Sequence, residues 1–181
     1  LFNIQENVRR SEVPLAEISP YLQKATVAIE DDTFYQHKGI RPLSFLRAVL
    51  VNATSLGFTQ GGSTITQQVV KNSLLTKDKS IARKLKEWVL AIKLERVVSK
   101  DQILEIYLNE SPYGGNIYGA EEASQAFFGV PAASLNLAQS AYLAALPQAP
   151  SYYSPYGSHK DELSNRKNLV LNRMYENKLI T

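Results

Sequence analysis

Apolar side chains recur at helical spacing from Pro20 to Asn177, and nowhere do apolar and polar residues alternate for long enough to make a half-buried strand. A chain with that period alone folds as packed helices, so the sequence predicts an all-α architecture. Capping residues divide it. Ser19-Pro20 opens a first helix through Leu22, Ala25, Thr26 and Ile29, ending near Asp31 or Asp32. Pro42 opens a second segment, with Leu43, Leu46, Ala48, Val49 and Leu50 apolar nearly all round, which dissolves into a loop over Thr54–Gly62. Thr64 with Gln67 makes a capping box, and Ser99 with Gln102 repeats it before Ile103, Leu104, Tyr107 and Leu108. Asn109–Gly119 reads as a turn-rich loop, Ala120–Phe128 as a helix stopped by Gly129, Leu135–Leu146 as a helix closed by Pro147, and Asp161–Asn177 as a last helix.

With 181 residues, one domain buries roughly 70% of the surface of its unfolded chain, enough for a core without staples. There is no cysteine, which excludes disulfides, thiolate metal sites and cysteine nucleophiles together. No apolar run approaches the roughly 18 residues of a membrane span, and no leader opens the chain at Leu1. The missing initiator Met suggests a domain whose flanks, among them a membrane anchor, lie outside the chain.

A formal charge of +3 hides a strong segregation. Lys71–Lys100 holds nine of the 20 cationic side chains against Asp78, Glu87 and Glu95, whereas Asp101–Glu122 has five acids and no Lys or Arg. This is either a solvated basic helix followed by an acidic one, or a site for a polyanion.

Glu30-Asp31-Asp32 puts three carboxylates at a helix C-terminus, where the macrodipole disfavours negative charge. Mutual repulsion, with burial beside Phe34 and Tyr35, is expected to raise a pKa toward the range of a general base or acid, unless the cluster is merely a solvated helix end. Glu30 is the least loop-like of the three. His37, two residues before Gly39, reads as a loop histidine bonded to the turn or as a site residue. Gly61-Gly62-Ser63-Thr64 leaves backbone N–H groups at a helix N-terminus, with Lys71 near Gln67 and Gln68, a cradle for phosphate or diphosphate. From Ser80 onward, Lys79, Arg83, Lys86 and Glu87 share one helical sector and Ile81, Leu85, Trp88 and Ile92 the opposite one. The expectation is a charged ledge backed by a core face, although Arg83 and Glu87 could be only a surface i,i+4 pair.

Five blocks in order carry a resemblance. Glu30-Asp31-Asp32-Thr33-Phe34-Tyr35-Gln36-His37-Lys38-Gly39, Gly61 through Asn72, Arg83-Lys84-Leu85-Lys86-Glu87, Ile103 through Asn109 with Gly114, Tyr118 and Gly119, and Ala141 through Pro147 with Pro150 resemble the five motifs of the peptidoglycan glycosyltransferases. This is glycosyltransferase family 51, the polymerase module of class A penicillin-binding proteins and of monofunctional transglycosylases.

The resemblance implies a single glycosyltransferase domain over residues 1–181, with a lysozyme-like catalytic lobe and a smaller membrane-facing jaw that includes residues 40–62. Phe45, Leu46, Leu50, Leu56 and Phe58 would touch lipid there. It implies polymerisation of lipid-linked disaccharide-peptide, lipid II, on the extracytoplasmic face of the bacterial cytoplasmic membrane, with the growing glycan strand and other cell-wall synthesis proteins as partners and no nucleic acid. Glu30 would be the general base on the acceptor GlcNAc 4-hydroxyl, and Glu87 the second essential carboxylate. Lys71, Lys79, Arg83 and Lys86 would neutralise the leaving undecaprenyl diphosphate. Asp31, Phe34, His37, Ser63, Thr64, Gln67, Gln68 and Asn72 would belong to the substrate site, with Arg47 and Arg166 as further ligand contacts. No cofactor is required and no metal-ligand spacing is evident; a divalent cation, Mg or Mn, could bridge Glu87 and the diphosphate.

Four positions depart from the family pattern: Arg41 in place of an acid, Lys79 of Arg, Gln139 of Glu and Lys178 of Gly. Gln139 confines the fifth motif to packing. Transpeptidase signatures are absent from the chain. Two other classes fit parts of the pattern. A lysozyme-type hydrolase also uses paired carboxylates but has no need of the cations, and a non-catalytic basic helical module would be indifferent to Glu30.

Overall fold

The computed structural model describes residues 11–42, 62–74 and 80–181. The expectations for residues 43–61, which carry most of the jaw and Arg47, and for Lys79 lie outside the described residues. The chain divides into two units, one of residues 1–29 with 108–181 and one of residues 30–107.

In the first unit, α1 (Pro20–Glu30) begins where Ser19 and Pro20 predict. Ser19 Oγ accepts from Tyr21 N–H at 3.3 Å and donates to Leu135 O at 2.8 Å, so one hydroxyl both caps the helix and ties it to a distant loop. Leu22, Ala25 and Ala28 form its buried stripe. The loop expected after Asn109 contains a small antiparallel hairpin, β1 (Pro112–Gly114) and β2 (Ile117–Tyr118), with Pro112 opposite Tyr118. Strands this short cannot display an alternation, so the mostly helical class holds with this one addition among the described residues. Gly119 has φ +86°, and a Cβ there would meet Asn109 O at 2.9 Å. The Asn109 side chain in turn clamps Val13, accepting from its N–H at 3.1 Å and donating to its carbonyl at 2.9 Å.

Helix α5 (Ala120–Phe128) stops at Gly129 in the left-handed region, φ +67°. Asn136 caps α6 (Leu137–Ala145), and Gln139 closes the reciprocal half of the box. Gln139 thus has a local use that its amide performs as well as a carboxylate would. Helix α7 (Lys160–Glu176) packs on α6, burying Leu163, Val170 and Met174. It ends in paired bonds, Lys178 N–H to Tyr175 O and Leu179 N–H to Met174 O, both 2.9 Å, a Schellman arrangement. This puts Lys178 at φ +56°, the one non-glycine with positive φ among the described residues.

In the second unit, α2 (Ile65–Leu74) packs against α3 (Ile81–Leu94), and α4 (Lys100–Glu110) follows across the unit boundary. Both capping boxes form: Thr64 N–H to Gln67 Oε1 at 2.8 Å, Ser99 N–H to Gln102 Oε1 at 3.0 Å, each with the return bond.

A left-handed backbone costs a side-chain-bearing residue roughly 1–2 kcal/mol, partly offset by glycine's freedom when unfolded. Lys178→Gly is therefore expected to raise stability by about 0.5–1 kcal/mol in urea unfolding; a loss would show that the lysine side chain has a stabilising contact of its own.

Candidate active site

The three carboxylates that end α1 go to three different surroundings. Glu30 is half-buried, and its Oε2 accepts from Gln68 Nε2 at 2.8 Å. Asp31 is 1% exposed. Its Oδ2 accepts from Ile65 N–H at 3.1 Å and from His37 Nε2–H at 2.7 Å, and its Oδ1 from Arg41 Nη1 at 3.3 Å. Asp32 is exposed and takes the same guanidinium at 2.6 Å. Arg41, the cation where the family pattern has an acid, thus separates two charges that would otherwise repel.

Gly39 N–H donates to His37 Nδ1 at 3.1 Å, so Nδ1 is the acceptor and the proton sits on Nε2, facing Asp31. The loop reading of His37 is met: the ring closes the turn, and it also holds the buried carboxylate. Gly39 has φ +92°, and a Cβ there would lie 2.7 Å from Ala91 O, so only glycine lets this loop approach α3. Phe34 is fully buried, with Lys100 Nζ 4.4 Å from its ring centroid. Phe34 and Asp31, expected at the ligand, are interior residues that shape the loop.

Three donors of the expected phosphate cradle are taken by the protein itself. Of the donors at the start of α2, Thr64 N–H is bonded to Gln67 Oε1, Ile65 N–H to Asp31, and Gln67 N–H to Thr64 Oγ1. The positive end of the helix is answered by the protein's own carboxylate. Thr64 and Gln67 are 1% and 2% exposed, and Thr64 Oγ1 also donates to Gly39 O at 2.7 Å, so these two hold the loop instead of lining the site. Gln68, Lys71 and Asn72 lie at i, i+3 and i+4 on one side of α2, and Lys71 and Asn72 are exposed. The side of α2 that touches Glu30 therefore continues into a cation and an amide.

Two residues of α3 depart from the faces expected, Glu87 and Leu85, while Lys86 is exposed as expected. Glu87 is 1% exposed and Ala91 fully buried, whereas Leu85 is 58% and Val89 52% exposed. What turns the carboxylate inward is Lys84, a residue of the third motif that sequence reasoning left without a role. Its Nζ forms an ion pair with Glu87 one turn on and donates to Ser63 Oγ at 2.9 Å. The i,i+3 spacing of Lys84 and Glu87 was the available signal. Arg83 caps through its backbone N–H to Ser80 Oγ at 3.1 Å, and its buried Nε has no hydrogen-bond partner among the described residues. Lys86 is exposed. Arg166 belongs to the other unit, where its Nε–H donates to Ala145 O at 2.9 Å, at the end of α6, and its guanidinium lies 5.6 Å from the Tyr153 ring centroid.

The transglycosylase family profile matches residues 1–175. Penicillin-binding protein 1A of Aquifex aeolicus is 44% identical over 173 residues, 96% of this chain and 24% of that protein. Penicillin-binding protein 1A of Escherichia coli is 42% identical over 173 residues, 96% of this chain and 20% of that protein. A crystal structure of penicillin-binding protein 1A from Haemophilus influenzae matches with TM-score 0.56 and 25% identity, over 96% of this chain and 16% of that one. The chain thus spans a quarter or less of these relatives. The chain belongs to the transglycosylase family, and the activity that membership carries is peptidoglycan glycosyl transfer.

Breaking one side of a buried ion pair costs more than removing both sides. With Lys84 a quarter exposed at 27%, Lys84→Met is expected to cost about 2 kcal/mol and the double variant Lys84→Met/Glu87→Gln less than that single one. Chemical unfolding of all three variants tests this, and a double variant worse than both singles would contradict it. Elsewhere in the unit, partial burial, then the Asp101 carboxylate to which Tyr35 donates at 3.2 Å, push the Tyr35 phenol up to about 12. Its folded pKa lies above the ordinary 10.0, so its stabilising contribution is complete below pH 10 and lost as pH rises to about 12. Tyr35→Phe should flatten stability across that window, by a small amount because the residue is 56% exposed.

Proposed function

We propose that this domain polymerises lipid II into glycan strands. Glu30 is the general base that takes the proton of an acceptor GlcNAc 4-hydroxyl as that oxygen attacks C1 of the donor MurNAc. The C1–oxygen bond to the diphosphate breaks, and undecaprenyl diphosphate leaves. The observation that carries this reading is that one unit holds two carboxylates with contrasting surroundings. Glu30 is half-buried with an amide donor from Gln68, while Glu87 is buried under Lys84 on a helix that also carries Arg83 and Lys86.

A base must be reachable, which the partial exposure of Glu30 allows. A diphosphate leaving group needs cations where its charge develops, which a hydrolase leaving a sugar hydroxyl does not. The Arg83 Nε–H, buried without a partner among the described residues, is a donor that an anionic oxygen would satisfy. We place Lys71, Asn72, Lys84 and Lys86 with Arg83 on the donor side, and Ser63 as the hydroxyl that aims Lys84. Glu87, locked to Lys84, then serves to orient that ammonium.

The donor set does not fit a resident metal, because Glu87 is already neutralised by Lys84, and among the described residues no group of three or more His, Asp or Glu could hold one. We propose that any Mg or Mn ion arrives with the diphosphate. Among the described residues no helix is long and apolar enough to cross a membrane. We place the domain on the outer face of the bacterial cytoplasmic membrane because its lipid-linked substrate would be presented there.

The test is incubation with lipid-linked disaccharide-pentapeptide and sizing of the product, with and without moenomycin. Glu30→Gln is expected to fold normally and to lower polymerisation by a factor of 10² or more, the scale of a general base. Substantial glycan synthesis by that variant would overturn the assignment of Glu30, and cleavage of finished glycan without polymerisation would favour a hydrolase.

A further inference from the structure

A second set of charged groups lies behind His37, and the proposed mechanism does not use it. Glu95 follows α3, and its side chain is 7% exposed. Its Oε1 accepts from Thr66 Oγ1 at 2.5 Å and from Lys100 Nζ at 2.7 Å. Lys100 Nζ also lies 3.4 Å from His37 Nδ1, over the Phe34 ring, and the same Nδ1 is 3.8 Å from Glu95 Oε1. His37 thus stands between two carboxylates, Asp31 at its Nε2 and Glu95 beyond its Nδ1, with Arg41 on the far side of Asp31.

Two groups compete over Nδ1: the Gly39 N–H, which donates to it at 3.1 Å and disfavours a proton there, and the Glu95 carboxylate 3.8 Å away, toward which an Nδ1–H could turn once Lys100 is removed. The ammonium blocks this in two ways: it offers its own N–H to Nδ1, and it neutralises Glu95. We propose that Lys100 and Glu95 are positioning residues that hold His37 in the Nε2–H tautomer and so align Glu30. The alignment passes through bonds already described. His37 Nε2–H and Ile65 N–H share Asp31 Oδ2, and this sets the start of α2 against the end of α1. Gln68, one turn into α2, then meets Glu30. Thr66 gives α2 a second tie, from its first turn to Glu95. An ammonium placed here for stability alone would have no reason to face an imidazole nitrogen, a group that two nearby carboxylates would otherwise favour as a donor.

This inference rests on Glu30 as the base, so one readout is independent of activity. The chain has two histidines, His37 and His159, and His159→Gln assigns their ¹⁵N signals. In the parent protein the spectrum should show His37 with Nδ1 unprotonated and Nε2 protonated. Lys100→Met should protonate Nδ1 and lower kcat about tenfold, with KM for the lipid-linked substrate within about twofold, as misalignment of a base predicts. Lys100→Arg should keep both the tautomer and most of the activity. The double variant Glu95→Gln/Lys100→Met removes the competing acceptor charge with the ammonium, so it should recover the parent tautomer and exceed Lys100→Met in kcat. An unchanged His37 tautomer in Lys100→Met, or a double variant slower than both singles, would overturn the proposal whatever the role of Glu30. The predicted tautomer shift in Lys100→Met, together with an active Glu30→Gln, would retain the brace and overturn the base.

Discussion

The second unit is organised around the buried carboxylate of Asp31. A carboxylate removed from water without partners costs several kcal/mol, so each group that reaches it becomes obligatory. Those groups are the Ile65 backbone N–H, the His37 ring and the Arg41 guanidinium, which belong to two stretches of sequence, the loop after α1 and the start of α2. One unfavourable burial therefore specifies the path of the loop after α1, the orientation of the histidine and the place where α2 starts. It also decides what the start of α2 meets. Its positive end faces the Asp31 carboxylate, and the Thr64, Ile65 and Gln67 N–H groups are matched by protein atoms.

Helix α3 carries a second unfavourable burial. Turning Glu87 inward on α3 leaves Leu85 and Val89 in solvent, a choice that hydrophobicity alone would reverse. The Lys84 ion pair makes it tolerable, and Ser63 restrains the ammonium further. A lysine with three rotatable donors is well suited to this double duty, since it can keep one N–H on the carboxylate and another on the hydroxyl. The close passage of Gly39 against Ala91 keeps the loop and α3 together, and a single methyl group would prevent it.

Elements that depend on neighbours in sequence were legible, and those that depend on burial of charge were not. Both capping boxes, the Gly129 stop and the extents of α1, α5 and α7 follow from local rules, and they form within a residue or so of expectation. The hairpin at Pro112–Tyr118 was hidden because strands of three and two residues have no period to read. The cradle at Gly62–Thr64 misled because nothing in that segment announces that a carboxylate more than thirty residues earlier, Asp31, will occupy it. Glu87 misled because a helical wheel places acids outward by default, and the exception needs the Lys84 pair to be recognised first. Lys178 and Gln139 show the opposite case: departures from the family pattern whose local backbone geometry accounts for them, one strained and one neutral.

The two carboxylates in the second unit divide the electrostatic work by the kind of donor each receives. Glu30 accepts from the Gln68 amide, a donor that brings no charge. Glu87 takes an ammonium, which turns the pair into a fixed dipole whose positive end also meets Ser63. An amide in place of Lys84 would leave the buried Glu87 charge without its counter-ion, whereas the half-buried Glu30 keeps contact with water. The difference between the two acids is therefore written in Gln68 and Lys84, and only secondarily in the acids themselves.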